Sequence, residues 1–256
     1  MRYHKLFFFA MIKKNKSQLQ VSSYLIDFNQ HLSPHNLFSL MQDCAWKHIT
    51  INQCGWDHLY KQGRVWVLSR MLVTMERPIL WQEEITVETW MKSCDLITSY
   101  RDFTISDSRH QIVARATSMW HQLDVETRKI MSLNDFVFPN LNQDGIEEKP
   151  QKLHCPTDEP LIDASREINA SNIDMNGHAN NTNYIRWALD AFPIDFLKQK
   201  FVKQIAINFL VEGRLGNHFH VETRQESDDT FFQQIIRNED HVSLANIKSC
   251  WENIKM

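Results

Sequence analysis

Residues 172–190 read N-I-D-M-N-G-H-A-N-N-T-N-Y-I-R-W-A-L-D, and no other segment gathers as many groups capable of proton chemistry. Asp174, Asn176 and His178 alternate with Met175 and Gly177. In an extended run, positions i, i+2 and i+4 share one face, so a carboxylate, an amide and an imidazole would point the same way. Gly177 lets the backbone turn sharply or approach a ligand closely. Asn180 and Asn181 are helix-capping residue types. Ile185, Ala188, Leu189, Phe192 and Phe196 then recur at helical spacing. The stretch reads as a strand end or tight turn that delivers Asp174, Asn176 and His178 to the start of a helix over about residues 182–197. Free N–H groups and a partial positive charge at that helix start suit a developing oxyanion.

Working outward, the same triplet occurs once more, at Asp27, Asn29 and His31, again just before a helical pattern. Ser33 reads as its N-cap and Pro34 as its first residue. Leu37, Leu40, Met41, Cys44, Ala45, His48 and Ile49 mark one face, and the pattern continues to about Tyr60 before Gly63 ends it. A strand over 17–27 precedes this helix, and four strand-like runs follow it at Val65–Glu76, Glu84–Cys94, Ile97–Asp107 and Gln111–Val125. The second half repeats the order. A short strand over Leu161–Ile168 leads to the quoted stretch and its helix. Runs at Phe201–Glu212, Asn217–Gln225, Thr230–Asn238 and His241–Trp251 follow. Val-Glu-Thr lies in the second long strand of both halves, at 87–89 and 221–223. Short connections favour antiparallel pairing. The reading is an α+β protein made of two copies of one unit, a helix wrapped by an antiparallel sheet. Residues 139–160 hold four of the seven prolines and no periodicity, and are read as the linker. That divides the chain into an N-terminal extension (1–16), a first domain (17–138), the linker (139–160) and a second domain (161–256).

Of the 256 residues, 43% are apolar and 23% charged, enough for one large globular domain or two small ones. A net charge of −3 argues against a nucleic-acid or membrane-surface partner. The apolar run Leu6–Ile12 is too short to span a bilayer, and Lys13, Lys14 and Lys16 stand where a signal cleavage site would need small residues. Five cysteines, odd in number and without a C-x-x-C, indicate free thiols and a reducing cytoplasm.

D-M-N-G-H-A-N-N-T-N-Y-I-R-W (174–187) resembles the hallmark of the acyl-acyl carrier protein (acyl-ACP) thioesterases of plants and bacteria. W-V-L-S-R-M (66–71), R-D-F-T-I (101–105) and A-R-A-T-S-M-W (114–120) resemble that family's first strands, so that the similarity covers roughly residues 18–252. The resemblance implies a tandem hot-dog fold, in which one chain supplies the pair that single hot-dog proteins make by dimerising. It implies hydrolysis of fatty acyl-ACP without metal or organic cofactor. The implied catalytic set is Asp174, Asn176, His178 and Glu212, with Asn180, Asn181 and Tyr184 around the substrate. The acyl carrier protein is the implied partner, and a homodimer of the tandem chain is left open. Many plant members carry a cysteine after the glutamate, where this chain has Gly213, so a cysteine acyl-enzyme at that position is excluded. Water assisted by Glu212 and His178 takes its place. A carboxylate in an apolar tunnel gains basicity unless a cation offsets the effect. Asn176 is left with two roles, orienting the water or the thioester carbonyl.

Other features carry less. Glu76 lies where a first-half counterpart of Glu212 would, which makes Asp27, Asn29 and His31 a second candidate site. Ser33-Pro34 in place of Asn180-Asn181 argues for a duplication remnant, because proline removes an N–H from the helix start. His218 and His220 share a strand face, too few for a metal site. Trp46, Trp66, Trp90 and Trp120 read mostly as core, with some of them candidates to line an acyl tunnel. An acidic carrier protein calls for a basic patch, with Arg186, Lys203 and Arg214 as candidates by sequence proximity alone. An acyl-CoA thioesterase and a non-catalytic acyl-binding protein on the same fold are the alternatives.

Overall fold

The structure is a computed structural model that describes residues 14–52, 54–134 and 145–254. Most of the N-terminal extension, the first six linker residues and the last two residues of the chain lie outside the described residues.

Each half places a helix on an antiparallel sheet built from four long strands and extended at its edge by shorter ones. In the first half, β1 (Lys14–Gln20) leads to α1 (Pro34–Ile51), a short α2 (Trp56–Tyr60), and strands β2 (Arg64–Met75), β3 (Glu84–Cys94), β4 (Ser99–Asp107) and β5 (Ile112–Asp124). In the second, β6 (Leu161–Ile162) and β7 (Arg166–Glu167) precede α3 (Asn181–Leu189) and α4 (Ile194–Gln199). Strands β8 (Lys200–Phe209), β9 (His218–Ser227), β10 (Thr230–Arg237) and β11 (Ser243–Asn253) follow. The strands run β1-β3-β4-β5-β2-β8-β11-β10-β9-β6 in one continuous sheet, with β7 also on β9. The halves meet where β2 and β8 pair antiparallel, from Arg70↔Asn208 to Thr74↔Gln204. This is the repeated helix-and-sheet unit that the duplication predicts, and the tandem hot-dog that the resemblance implies.

The helical faces explain why the sheet curls around them. α1 buries Leu37, Phe38, Met41, Cys44, Ala45 and His48, and α3 buries Tyr184, Ile185, Trp187 and Ala188. Both belong to one core with Met71, Val73, Ile205, Ile207 and Ile247 of the central strands. Burying such side chains contributes about 1.5–3 kcal/mol each.

Several boundaries differ from the expectation. β1 starts at Lys14, inside the presumed extension, because Lys14 and Lys16 pair with Glu88 of β3 at 2.9 and 2.7 Å. It ends at Gln20, and Ser23–Leu25 form a 3₁₀ turn instead of more strand. The first helix stops at Ile51: the N–H and the side chain of Asn52 both donate to the His48 carbonyl, and Gly55 leads into the separate α2. The second helix likewise stops at Leu189, and Pro193 opens α4. Leu161–Ile168 forms only the two-residue β6 and β7. β8 ends at Phe209, so Glu212 sits in the loop beyond it, not on the strand.

The described part of the linker crosses both halves. The Ile146 N–H donates to Asp102 of β4 (2.7 Å), the Leu153 N–H to Asn208 of β8 (2.8 Å), and Arg224 of β9 to the Asp158 carbonyl (2.7 Å). Among the described residues, no helix is long and apolar enough to cross a membrane.

Candidate active site

The D-x-N-x-H segment is a tight turn rather than an extended run. Its ends pair through the bridge Ile173↔Ala179. The Asp174 N–H donates to the His178 carbonyl (2.9 Å) and the Gly177 N–H to the Asp174 carbonyl (3.0 Å). Asp174 Oδ1 accepts the Asn176 N–H at 2.8 Å, which makes this carboxylate the pin of an Asx turn. Gly177 has φ +78°, a backbone region that only glycine adopts freely.

The first-half copy folds the same way. Asp27 N–H to His31 carbonyl is 2.8 Å, Gln30 N–H to Asp27 carbonyl 3.0 Å, and Asn29 N–H to Asp27 Oδ1 2.8 Å. Gln30 holds the left-handed position with φ +61°, and Ile26↔Leu32 closes the turn. The triplet thus specifies a turn in both halves, and the difference between them lies in what surrounds it.

Around the second copy, His178 Nε2 lies 3.1 Å from Glu212 Oε2. Arg128 Nη2 pairs with the other oxygen, Glu212 Oε1. The carboxylate accepts the Nε2 proton, which leaves the imidazole lone pair at Nδ1. Trp56 Nε1 donates to Asn176 Oδ1 at 3.0 Å. Arg128 and Trp56 both come from the first half, and neither was marked by the sequence reading. Arg128 follows the turn pinned by Asp124 after β5 and sits at φ +57°. Nothing in its local sequence points toward Glu212, over eighty residues away; only the curl of the sheet brings them together. Trp56 falls in the predicted continuation of α1, where a tryptophan reads as core.

The second-half helix supplies the rest. Asn180 is the N-cap of α3, its Oδ1 accepting from the Thr182 N–H at 3.0 Å. It therefore shapes the helix start, while Asn181 and Tyr184 face the cavity. The amide of Thr182 is taken by the cap, so the N–H of Asn181 is the first-turn donor left without an intrahelical acceptor. Tyr184 Oη accepts the Gly213 N–H at 2.9 Å, fixing the peptide that follows Glu212. Burial pushes the Tyr184 hydroxyl up to about 12, so it stays neutral. A Cβ on Gly213 would lie 2.6 Å from Ile168 Cδ1 and 3.0 Å from Tyr184 Oη. A side chain at position 213 would require Ile168 Cδ1 to move and would press on the Tyr184 hydroxyl that accepts the Gly213 N–H.

These groups border a cavity of about 860 Å³ lined by both halves. Asp174, Asn176, His178, Asn181, Tyr184 and Glu212 all line it. Of the four tryptophans read as core or tunnel lining, Trp46, Trp66 and Trp120 line it, whereas Trp90 is buried at 3% exposure. Arg101 reaches it from β4 although fully enclosed, held by His48 Nδ1 (2.9 Å) and Thr89 Oγ1 (3.1 Å). Burial lowers its pKa to about 10, so it is charged at neutral pH. Of the candidate docking cations, Arg214 lines the cavity and Lys203 pairs with Glu76 (3.9 Å) and Glu252 (3.8 Å). Arg186 is solvent-exposed on α3.

The first copy brings together none of this. Asn29 Nδ2 donates to the Leu197 carbonyl at 2.8 Å, and Glu76 pairs with Arg115. Among the described residues, no group of three or more His, Cys, Asp or Glu side chains is arranged to hold a metal, and all five cysteines are unpaired.

A helix cradled by an antiparallel sheet, twice over in one chain, with a carboxylate–imidazole pair at the cavity, defines a tandem hot-dog protein. Residues 12–140 match the family model for the acyl-ACP thioesterase N-terminal domain, and residues 161–253 that for the C-terminal domain. The chain belongs to the acyl-ACP thioesterase family. It is 25% identical over 253 residues to the chloroplastic oleoyl-acyl carrier protein thioesterase of Coriandrum sativum, covering 90% of this chain and 68% of that one. It is 25% identical to a chloroplastic acyl-[acyl-carrier-protein] hydrolase of Cuphea viscosissima, covering 92% of this chain and 62% of that one. The chain thus spans roughly two thirds of the length of these relatives. The crystal structure of an acyl-ACP thioesterase from Bacteroides thetaiotaomicron superposes with a TM-score of 0.84, covering 93% of this chain and 98% of that one at 24% identity.

Proposed function

We propose that this protein hydrolyses the thioester of fatty acyl-ACP and releases the free fatty acid. The observation that carries this reading is the contact between His178 Nε2 and Glu212 Oε2, 3.1 Å, at a cavity large enough for an acyl chain. In this reading the acyl chain lies in the cavity and the thioester carbon sits beside His178. A water attacks that carbon while His178 takes its proton, and Glu212 balances the imidazolium that forms. The carbonyl oxygen becomes an oxyanion, held by the amide of Asn176 and the N–H of Asn181. When the C–S bond breaks, the electron pair leaves on sulfur and the imidazolium returns its proton to the carrier thiolate. Asp174 holds the turn, and Arg128 offsets the charge of Glu212 and fixes its position. Gly213 favours this direct route over a cysteine acyl-enzyme. The five unpaired cysteines support a reducing, cytoplasmic setting. We treat the stretch from β1, with its start moved from 17 to Lys14, through 138 and the stretch 161–256 as the two hot-dog units, joined by 139–160.

The test is single-residue replacement with acyl-ACP as substrate. Glu212→Gln and His178→Ala should each lower kcat roughly 10²–10⁴-fold with unchanged circular dichroism, while His31→Ala retains near wild-type turnover. Near wild-type rates in both site variants would refute the assignment. A strong preference for acyl-CoA at equal chain length would refute the substrate.

A further inference from the structure

We infer that Trp56 is a positioning residue that sets which end of the Asn176 amide faces the cavity, turning Asn176 into a donor to the thioester carbonyl oxygen. The inference rests on the reaction proposed above. It starts from a donor that cannot act otherwise. An indole N–H only donates, so the Asn176 atom 3.0 Å from Trp56 Nε1 must be the amide oxygen. Asp174 gives the same orientation from the other side: its carboxylate only accepts, and Asn176 Nδ2 lies 3.5 Å from Asp174 Oδ2. With Oδ1 turned to Trp56 and one N–H turned to Asp174, the second N–H of the Asn176 amide remains to donate. It can serve an oxygen that gains negative charge. Of the two roles the sequence leaves to Asn176, carbonyl or water, this orientation selects the carbonyl.

The first half provides an internal comparison. α2 and α4 occupy the same place in their halves, each after the main helix and before the first central strand. Each touches the asparagine of the opposite half's turn, but with opposite polarity. Trp56 on α2 gives a proton to Asn176. On α4, the Leu197 carbonyl takes one from Asn29 Nδ2 at 2.8 Å. The same turn therefore offers its amide NH₂ to the cavity in one half and spends it on backbone in the other.

Trp56 is also placed for the task. It opens α2 behind Gly55, where a Cβ would come within 2.9 Å of Thr50 Oγ1 and 3.1 Å of Thr50 Cα. Its ring stacks on Tyr60 at 4.5 Å and 21°. The break between α1 and α2 is thus what aims the indole at the second half.

The experiment uses the full chain. Trp56→Phe keeps an aromatic ring for the stack and removes the N–H. With acyl-ACP, kcat should fall about 10-fold with KM within about twofold, and Asn176→Ala should lower kcat about 100-fold. In the double variant kcat should equal that of Asn176→Ala alone, because Trp56 acts through Asn176. Full kcat in Trp56→Phe, or losses that multiply in the double variant, would overturn the inference. A readout independent of turnover is the Trp56 indole N–H resonance in a ¹H–¹⁵N spectrum. It should shift upfield in Asn176→Ala, and an unmoved resonance overturns the inference. A wild-type chain inert toward acyl-ACP refutes the proposed reaction instead, and the resonance then decides the amide orientation by itself.

Discussion

The residues of the turn divide into those that shape it and those that use it. Asp174 and Asp27 do the same work, accepting the N–H two residues on, so the aspartate belongs to the fold in both halves. His178 and Asn176 differ from their first-half counterparts in the partners that arrive from elsewhere, Glu212 and Trp56. The triplet itself was plain in the sequence. Its partner Arg128 was not, since a single arginine after a turn carries no periodicity, and its meeting with Glu212 depends on the global curl of the sheet. Tyr184 shows how a neutral hydroxyl supports this arrangement. Replacing it with phenylalanine leaves the buried Gly213 N–H without an acceptor, which costs about 1–3 kcal/mol. The loop carrying Glu212 should loosen with it. We expect a lower midpoint in urea together with reduced kcat, and an unchanged midpoint would show that the Gly213 N–H finds another acceptor.

At the scale of elements, existence and type were legible while ends were not. The eight long strands match the runs rich in Val, Ile, Thr and aromatics, although their burial does not alternate strictly: β11 buries Leu244, Ala245, Asn246 and Ile247 in succession. The helices were read too long, over Pro34–Tyr60 and 182–197, since apolar spacing continues across both breaks. What ends them is local hydrogen bonding at Asn52 and the proline at 193, which the periodicity does not register. The start of α3 was readable from composition, and Asn180 is the cap that composition suggested. Asn180→Ala removes the acceptor of the Thr182 N–H and Oγ1–H and should cost about 1 kcal/mol. The check is the thermal midpoint, and restoration by Asn180→Asp or Asn180→Ser separates capping from lost volume.

The whole molecule is held as one unit by three features: the β2–β8 seam, the shared cavity and the linker that bonds to β4, β8 and β9. Heating should therefore give one calorimetric transition, with a van't Hoff enthalpy equal to the calorimetric one. Two resolved transitions would show that the halves melt separately. The duplication was visible in the sequence as repeated triplets, repeated Val-Glu-Thr and a repeated order of elements. Its asymmetry was not, because the contrast between α2 and α4 is one of hydrogen-bond polarity across the seam. That contrast bears on what fusing two copies permits. In an assembly of two identical chains, every substitution is written twice, so a tryptophan placed on one short helix would also stand on its image. Here Trp56 faces one turn and the Leu197 carbonyl faces the other. Covalent joining frees each copy to diverge and makes the encounter of the halves independent of dilution. On the proposed reaction, the molecule keeps one reactive turn and retains the second as architecture.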